Sequence, residues 1–148
     1  MNKAVRFTII TTIIDLLIAC LMFAIIAGGL NEIIEFLIDF ALNFGVGIGF
    51  LITASYYLGK QMHKLICQRK WNSILTGVLG MIFILIIGII GGSTVGFIEL
   101  GVLDSGDVIP ELVVDYYFKP LALILVYGGI PTIISGGILG VLISKITC

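Results

Sequence analysis

Four long apolar runs determine what this chain can fold into: residues 7–30, 36–58, 74–98 and 121–143. Each run exceeds the roughly 18 predominantly apolar residues that indicate a transmembrane helix. The composition agrees, because 59% of the residues are apolar and 11% are charged, whereas soluble domains average about 25% charged residues. We therefore predict an all-α polytopic membrane protein in which residues 1–148 form a single bundle of four transmembrane helices.

The charged residues lie mostly near the ends of these runs and predict the orientation. Seven of the eight cations precede the first run, occupy the basic loop at 59–73 or follow the fourth run, and Lys119 is the exception. Eight of the nine acids lie near the opposite ends, five of them in the acidic outer loop at 99–120. Cytoplasmic loops are enriched in lysine and arginine. We therefore expect both termini in the cytoplasm and the chain in the plasma membrane, which in a bacterium is the inner membrane.

The first run permits a second interpretation, since its basic start and the sequence Leu17–Cys20 fit a lipoprotein cleavage pattern. However, Asp15 interrupts the apolar segment, and the residues after Cys20 continue it. Signal peptides have shorter apolar segments, of about 7–15 residues. We expect a retained span, and whether the cleavage pattern is ever processed stays open.

The remaining cysteines, Cys67 and Cys148, fall on the predicted cytoplasmic side and are expected to stay reduced. His63 and Cys67 are one helical turn apart and could present two metal ligands. A zinc ion would need two more, one from Cys148 and one from elsewhere, and the spacing of these residues in the sequence matches no zinc motif. No metal site and no cofactor are predicted.

Small residues recur at every fourth position in the third and fourth runs. The rows are Gly88, Gly92 and Gly96 in the third run, and Gly128, Thr132, Gly136 and Gly140 in the fourth. In lipid, such rows let two helix backbones approach closely. We expect the two rows to face each other and to form a tightly packed helical hairpin. Oligomerisation and a glycine-lined pore are the alternatives, and Pro131 is expected to kink the fourth helix.

Asp15 is the ionisable residue that lies well inside a span. It shares one side of the first helix with Thr8, Thr11 and Thr12. An acid at this depth faces the protein interior, where it serves either as a hydrogen-bond clasp between helices or as an ion-coupling group.

An acidic stripe forms the second polar feature. It consists of Glu32, Glu35 and Asp39, spaced three and four residues apart at the outer end of the second span. Such a stripe is either a cation vestibule or a solvated extension of the helix.

The sequence shows no catalytic triad, intramembrane acid pair or phosphate-binding loop, so we expect a non-enzymatic protein. Our first hypothesis is a small membrane protein that packs against itself or a membrane partner, as accessory subunits and toxin-immunity proteins do. The alternative is a proton- or cation-coupled transporter or channel that uses Asp15. Four spans with an acid in the first resemble the small multidrug transporters, although the loops here are longer and the cation bias is stronger. No nucleic-acid binding is expected.

Overall fold

The computed structural model describes residues 3–27, 41–98 and 112–148, together with the single positions 34 and 38. Within these residues, four long helices form in this order: α1 (Lys3–Ala27), α2 (Ala41–His63), α3 (Ser73–Gly96) and α4 (Lys119–Thr147). Each helix contains a segment that is long and apolar enough to cross a bilayer. The predicted all-helical architecture with four candidate spans is confirmed.

The helices pack as a ring in chain order. α3 makes the most extensive contacts, with α2 and α4, while α1 closes the ring against those same two helices. Successive helices are antiparallel, because Gly59 near the end of α2 packs against Thr8 near the start of α1, and Gly77 near the start of α3 packs against Gly140 near the end of α4. The start of α1, the α2–α3 connection and the end of α4 therefore meet at one end of the bundle, which we call the cation-rich end.

The buried apolar core lies mainly toward the cation-rich end. Its largest fully buried side chains include Met62, Met81, Leu139 and Ile143. On the outside of the ring, many large apolar side chains are exposed, and Ile25 retains 78% of its surface. Soluble monomers rarely expose apolar patches of this extent. Hydrocarbon is the environment that suits this outer surface.

The connection between α2 and α3 is shorter than the predicted loop at 59–73, because helical structure continues well into it. α2 extends to His63, and a π-helical segment, Lys64–Gln68, follows directly. The prediction of a loop is wrong for residues 59–68. Burial of Ile66 in the core keeps this segment wound, and no proline interrupts it.

Local hydrogen bonds fix the reversal from α2 into α3. Lys70 adopts a left-handed conformation with φ 53°, and the Trp71 N–H donates to the Leu65 carbonyl at 3.1 Å. A left-handed residue after the last turn is a common way to end a helix. Asn72 then caps α3, since its Oδ1 accepts from the N–H groups of Ile74 at 3.0 Å and Leu75 at 3.2 Å.

The predicted outer loop at 99–120 is also partly helical. Residues 112–120 are helical, and a π-helical segment, Val114–Phe118, runs directly into α4. Tyr117 donates a hydrogen bond to Thr94 Oγ1 at 3.1 Å, and its ring lies 5.5 Å from the ring of Phe97, tilted by 50°. These contacts hold the extension against the end of α3. Residues 99–111 lie outside the described residues, and so does the acidic stripe of Glu32, Glu35 and Asp39.

Candidate functional site

A line of polar side chains runs along the inner side of α1, and we call it the polar seam. Thr8 and Thr12 are buried there, and Thr12 Oγ1 lies 2.8 Å from Ser55 Oγ on α2. Thr12 also donates to the Thr8 carbonyl at 2.9 Å, and Ser55 donates to the Leu51 carbonyl at 2.6 Å. Two hydroxyl hydrogens thus serve three contacts. Either hydroxyl can be the donor between the two helices, and that donor divides its hydrogen between the other hydroxyl and the carbonyl of its own helix.

Asp15 extends the polar seam to α4. Ser135 Oγ donates to Asp15 Oδ2 at 2.7 Å, and Ser135 also lies 3.2 Å from the Thr132 carbonyl. The sequence predicted that Asp15 faces the protein interior, and its hydrogen-bond partner comes from α4 rather than from the threonines that share its side of α1. Thr12 is already engaged with Ser55.

The second oxygen of the same carboxyl has a different environment. Asp15 Oδ1 is buried, and among the described residues no group hydrogen-bonds to it. A buried polar atom without a partner is costly. The carboxyl therefore has one oxygen that joins two helices and one oxygen that is free to accept a proton or another donor.

The closest approach of two helices joins α3 and α4 at the cation-rich end. A Cβ placed on Gly77 would overlap the Gly136 carbonyl oxygen, and a Cβ on Gly140 would overlap the Ser73 carbonyl oxygen. A Cβ on Gly136 would lie 2.8 Å from Val78 Cα. The two backbones are in direct contact here, and only glycine fits between them.

The glycine row of α3 has a different neighbour from the one predicted. A Cβ on Gly88 would overlap Leu51 of α2. On Gly92, it would lie 3.1 Å from the Asn43 carbonyl oxygen, also on α2. On Gly96, it would lie 3.0 Å from Asn43 Nδ2. The prediction that this row faces α4 is wrong, because α3 uses Gly77, one turn after its start, for that contact.

The remaining members of the predicted α4 row have separate environments. Thr132 is buried, whereas a Cβ on Gly128 would touch only Ile124 of the same helix, at 3.6 Å. α4 continues on both sides of Pro131. The row is therefore divided: Gly136 and Gly140 pack against α3, and Gly128 packs against no other described helix.

A second row of small residues lies on the outer side of α2, and no described residue fills it. It consists of Gly45, Gly49 and Thr53, at intervals of four residues. A Cβ on Gly45 or Gly49 would meet no described atom within 4 Å. Beside this row is an open groove of about 320 Å³, lined by Val46, Gly49, Phe50 and Thr53. All four lining residues belong to α2, so the groove runs along the surface of one helix.

The cysteines depart from the sequence prediction. Cys67 and Cys148, 81 residues apart, form a disulfide with their Cα atoms 5.3 Å apart. The expectation that both stay reduced is contradicted, because the π-helical segment after α2 and the end of α4 meet at the cation-rich end. Cys20 is free. Among the described residues, no three His, Cys, Asp or Glu side chains are grouped to hold a metal ion.

The sequence analysis predicted neither the disulfide nor the outward direction of the small residues of α2, although signals for both were present. The predicted topology places Cys67 and Cys148 on one side of the membrane, and the sequence shows the four-residue spacing of Gly45 and Gly49. The sequence does not reveal which face of α2 packs inward. Comparison of the chain with known protein families, curated proteins and solved structures finds no match.

Proposed function

We propose that this chain is a non-enzymatic, multi-pass plasma-membrane protein that acts by packing α2 against another membrane helix. The observation that carries the proposal is the unfilled outer row of Gly45, Gly49 and Thr53 beside its groove. Rows of this kind drive helix association in lipid, where close backbone packing replaces the hydrophobic effect. Both termini are cytoplasmic in this proposal, as the cation bias indicates.

The contrast with the inner glycines supports this assignment. Gly77, Gly92 and Gly136 contact the backbone of a neighbouring helix within the bundle. Gly45 and Gly49 are four residues apart, as Gly88 and Gly92 are, yet a Cβ on either would meet no described atom within 4 Å. Phe50 borders the groove and is 48% exposed. Its ring supplies a large contact area next to the flat row.

A second copy of the chain is the occupant that we propose for this row. Two identical rows of small residues are self-complementary about a two-fold axis, which is the commonest symmetry of soluble homo-oligomers, and they pair in this way in transmembrane helix dimers. An accessory subunit or toxin-immunity protein would offer the same face to a different membrane protein. In either case, the contact depends on the absence of a side chain at Gly49.

Gly49→Leu tests the proposal. The leucine fills the groove, and we expect self-association in liposomes to weaken roughly tenfold or more, equivalent to about 1.4 kcal/mol. The assay is single-molecule photobleaching over a series of protein-to-lipid ratios. Gly129→Leu is the matched control, since a Cβ on Gly129 also meets nothing within 4 Å but lies outside the row. A wild-type protein that is monomeric at every ratio contradicts self-association.

Asp15 Oδ1, which is buried and has no hydrogen-bond partner among the described residues, favours a second candidate function, proton- or cation-coupled transport. Intramembrane carboxyls mark ion pathways in many transporters. Asn keeps a hydrogen-bond acceptor for Ser135 and removes the titration. If Asp15 couples transport, Asp15→Asn assembles normally and loses pH-dependent flux in reconstituted vesicles. If Asp15 is a clasp, the variant retains the wild-type behaviour in both assays.

A further inference from the structure

The disulfide between Cys67 and Cys148 joins parts of the bundle that otherwise make little contact. Cys67 lies in the π-helical segment that extends α2, and Cys148 follows α4. α2 and α4 are diagonal in the ring and share few contacts of their own. The covalent bond therefore adds a diagonal link at the cation-rich end.

A histidine lies beside this disulfide, and its hydrogen bonds identify which nitrogen carries the proton. His63 Nδ1 is 3.2 Å from Thr147 Oγ1 and 3.3 Å from Cys67 Sγ. Thr147 already donates its hydroxyl hydrogen to the Ile143 carbonyl at 2.6 Å. A disulfide sulfur has no hydrogen to donate. Both neighbours of Nδ1 then act as acceptors, so the tautomer with its hydrogen on Nδ1 suits this site, and that hydrogen is within reach of both Thr147 Oγ1 and Cys67 Sγ.

The two sulfurs differ in their exposure. Cys148 is exposed, whereas Cys67 is half-buried beside His63. Thiol–disulfide exchange depends on access to the attacked sulfur and on how well the other sulfur leaves as a thiolate. An incoming thiol reaches Cys148 more easily. Cys67 is then the leaving sulfur, and the N–H of His63 is in place to stabilise its negative charge.

The charges around the pair favour a small anionic thiol. Lys64 and Lys145 are exposed, and each is three positions from one of the cysteines in sequence. On the side of the membrane that the cation bias assigns to the cytoplasm, disulfides are typically transient rather than permanent. Glutathione, a tripeptide thiol with a net negative charge, fits both the charge and the compartment.

We propose that Cys67 and Cys148 form a thiol–disulfide exchange site for low-molecular-weight anionic thiols of the glutathione class. A thiolate attacks Cys148 Sγ, a mixed disulfide forms there, and the Cys67–Cys148 bond breaks as Cys67 leaves as a thiolate and takes up a proton. A second thiol attacks the mixed disulfide, releasing the small disulfide and the Cys148 thiol. In total, two small thiols are oxidised to one small disulfide, and the protein disulfide is reduced by two electrons to two thiols. In the reverse reaction, the small disulfide oxidises the two protein thiols.

The experiment uses the full chain in nanodiscs, with Cys20→Ser to remove the third thiol. The protein is equilibrated in buffers of reduced and oxidised glutathione, and free thiols are counted by alkylation and mass spectrometry. We expect Cys67 and Cys148 to be linked in oxidising buffer and both alkylated in reducing buffer, while the protein stays folded. A pair that resists glutathione until the bundle unfolds, or that never links, overturns the proposal.

Substitution of His63 tests its part in the reaction. We expect His63→Ala to slow cleavage of the disulfide by glutathione about threefold or more, because a leaving thiolate that loses a hydrogen-bond donor departs more slowly. Gln61→Ala, an exposed neighbour, is the control and leaves the rate unchanged. Equal rates for the two variants overturn the role of His63. These readouts are independent of Gly49 and of self-association, so this proposal and the proposed function can fail separately.

Discussion

Gly136 offers the sharpest test of how this bundle is held together. It packs against the backbone of α3, and a Cβ there would lie 2.8 Å from Val78 Cα and 2.9 Å from the Gly77 carbonyl oxygen. Its sequence neighbour Gly137 differs, since a Cβ there would lie 3.7 Å from Ile74 Cγ2, in ordinary contact. Gly136→Ala and Gly137→Ala therefore make the same chemical change at nearly the same depth. The new Cβ is too close to the backbone of α3 at position 136, whereas at position 137 it is in ordinary contact with side chains of α3.

The expected difference in stability follows from these distances. Ordinary contact begins near 3.4 Å, so the alanine at 136 requires α3 and α4 to separate locally by about 0.6 Å. Backbone atoms cannot rotate away as a flexible side chain can. A gap of 0.5–1 Å loses about a quarter to a half of the dispersion attraction across it, and overpacking typically costs about 1–3 kcal/mol. The gain in helix propensity, up to about 1 kcal/mol in water, is common to both variants and cancels.

The assay is reversible unfolding in bicelles by a denaturing detergent, with the free energy of unfolding compared between the two variants. We expect Gly136→Ala to be less stable than Gly137→Ala by about 1–3 kcal/mol, and Gly137→Ala to equal or exceed the wild type. If the two variants agree within about 0.5 kcal/mol, the range of an ordinary surface substitution, the close α3–α4 contact is refuted.

Three further predictions concern the cap of α3, the polar seam and the orientation. Asn72→Ala should lower the free energy of unfolding by about 1 kcal/mol, whereas Asn72→Asp should retain most of it; unchanged stability in Asn72→Ala would contradict the capping role. Ser135→Ala should cost about 0.6 kcal/mol and at most about 1.7 kcal/mol, the mean and the maximum for hydrogen bonds between membrane helices, and the cost should vanish in an Asp15→Leu background. In a cysteine-free background, an impermeant thiol reagent applied to intact cells should label Asp115→Cys and miss Lys70→Cys; the reverse pattern would invert the topology.

Much of the architecture could be predicted because transmembrane helices depend on local sequence. Run length and hydropathy determine a span without any knowledge of its neighbours, and α1, α2, α3 and α4 all overlap the predicted runs. The residues at which the helices end were harder to predict. Burial of Ile66 against the core extends the helical structure beyond α2, and a hydropathy pattern does not contain that tertiary contact.

The helix interfaces could be predicted only in part. The sequence identifies Gly88, Gly92 and Gly136 as sites of close packing, but their partners depend on how each helix is rotated about its axis. α3 carries glycines on more than one face, with Gly77 toward α4 and Gly92 toward α2. Its hydropathy is high throughout, so no polar face marks a direction.

Besides the apolar core, two kinds of contact join the helices of this bundle, and Asp15 takes part in one of them. α2, α3 and α4 meet through backbone contacts at glycines, whereas α1 also depends on hydroxyl and carboxyl groups at Thr12 and Asp15. α1 nonetheless has one backbone contact, since a Cβ on Gly59 would lie 3.1 Å from Val5 Cα. That contact is at the cation-rich end, whereas the polar seam contacts α2 and α4 deeper in the span. Any change in the hydrogen bonding of Asp15 therefore acts first on the position of α1, whether the carboxyl serves as a clasp or as an ion-coupling group.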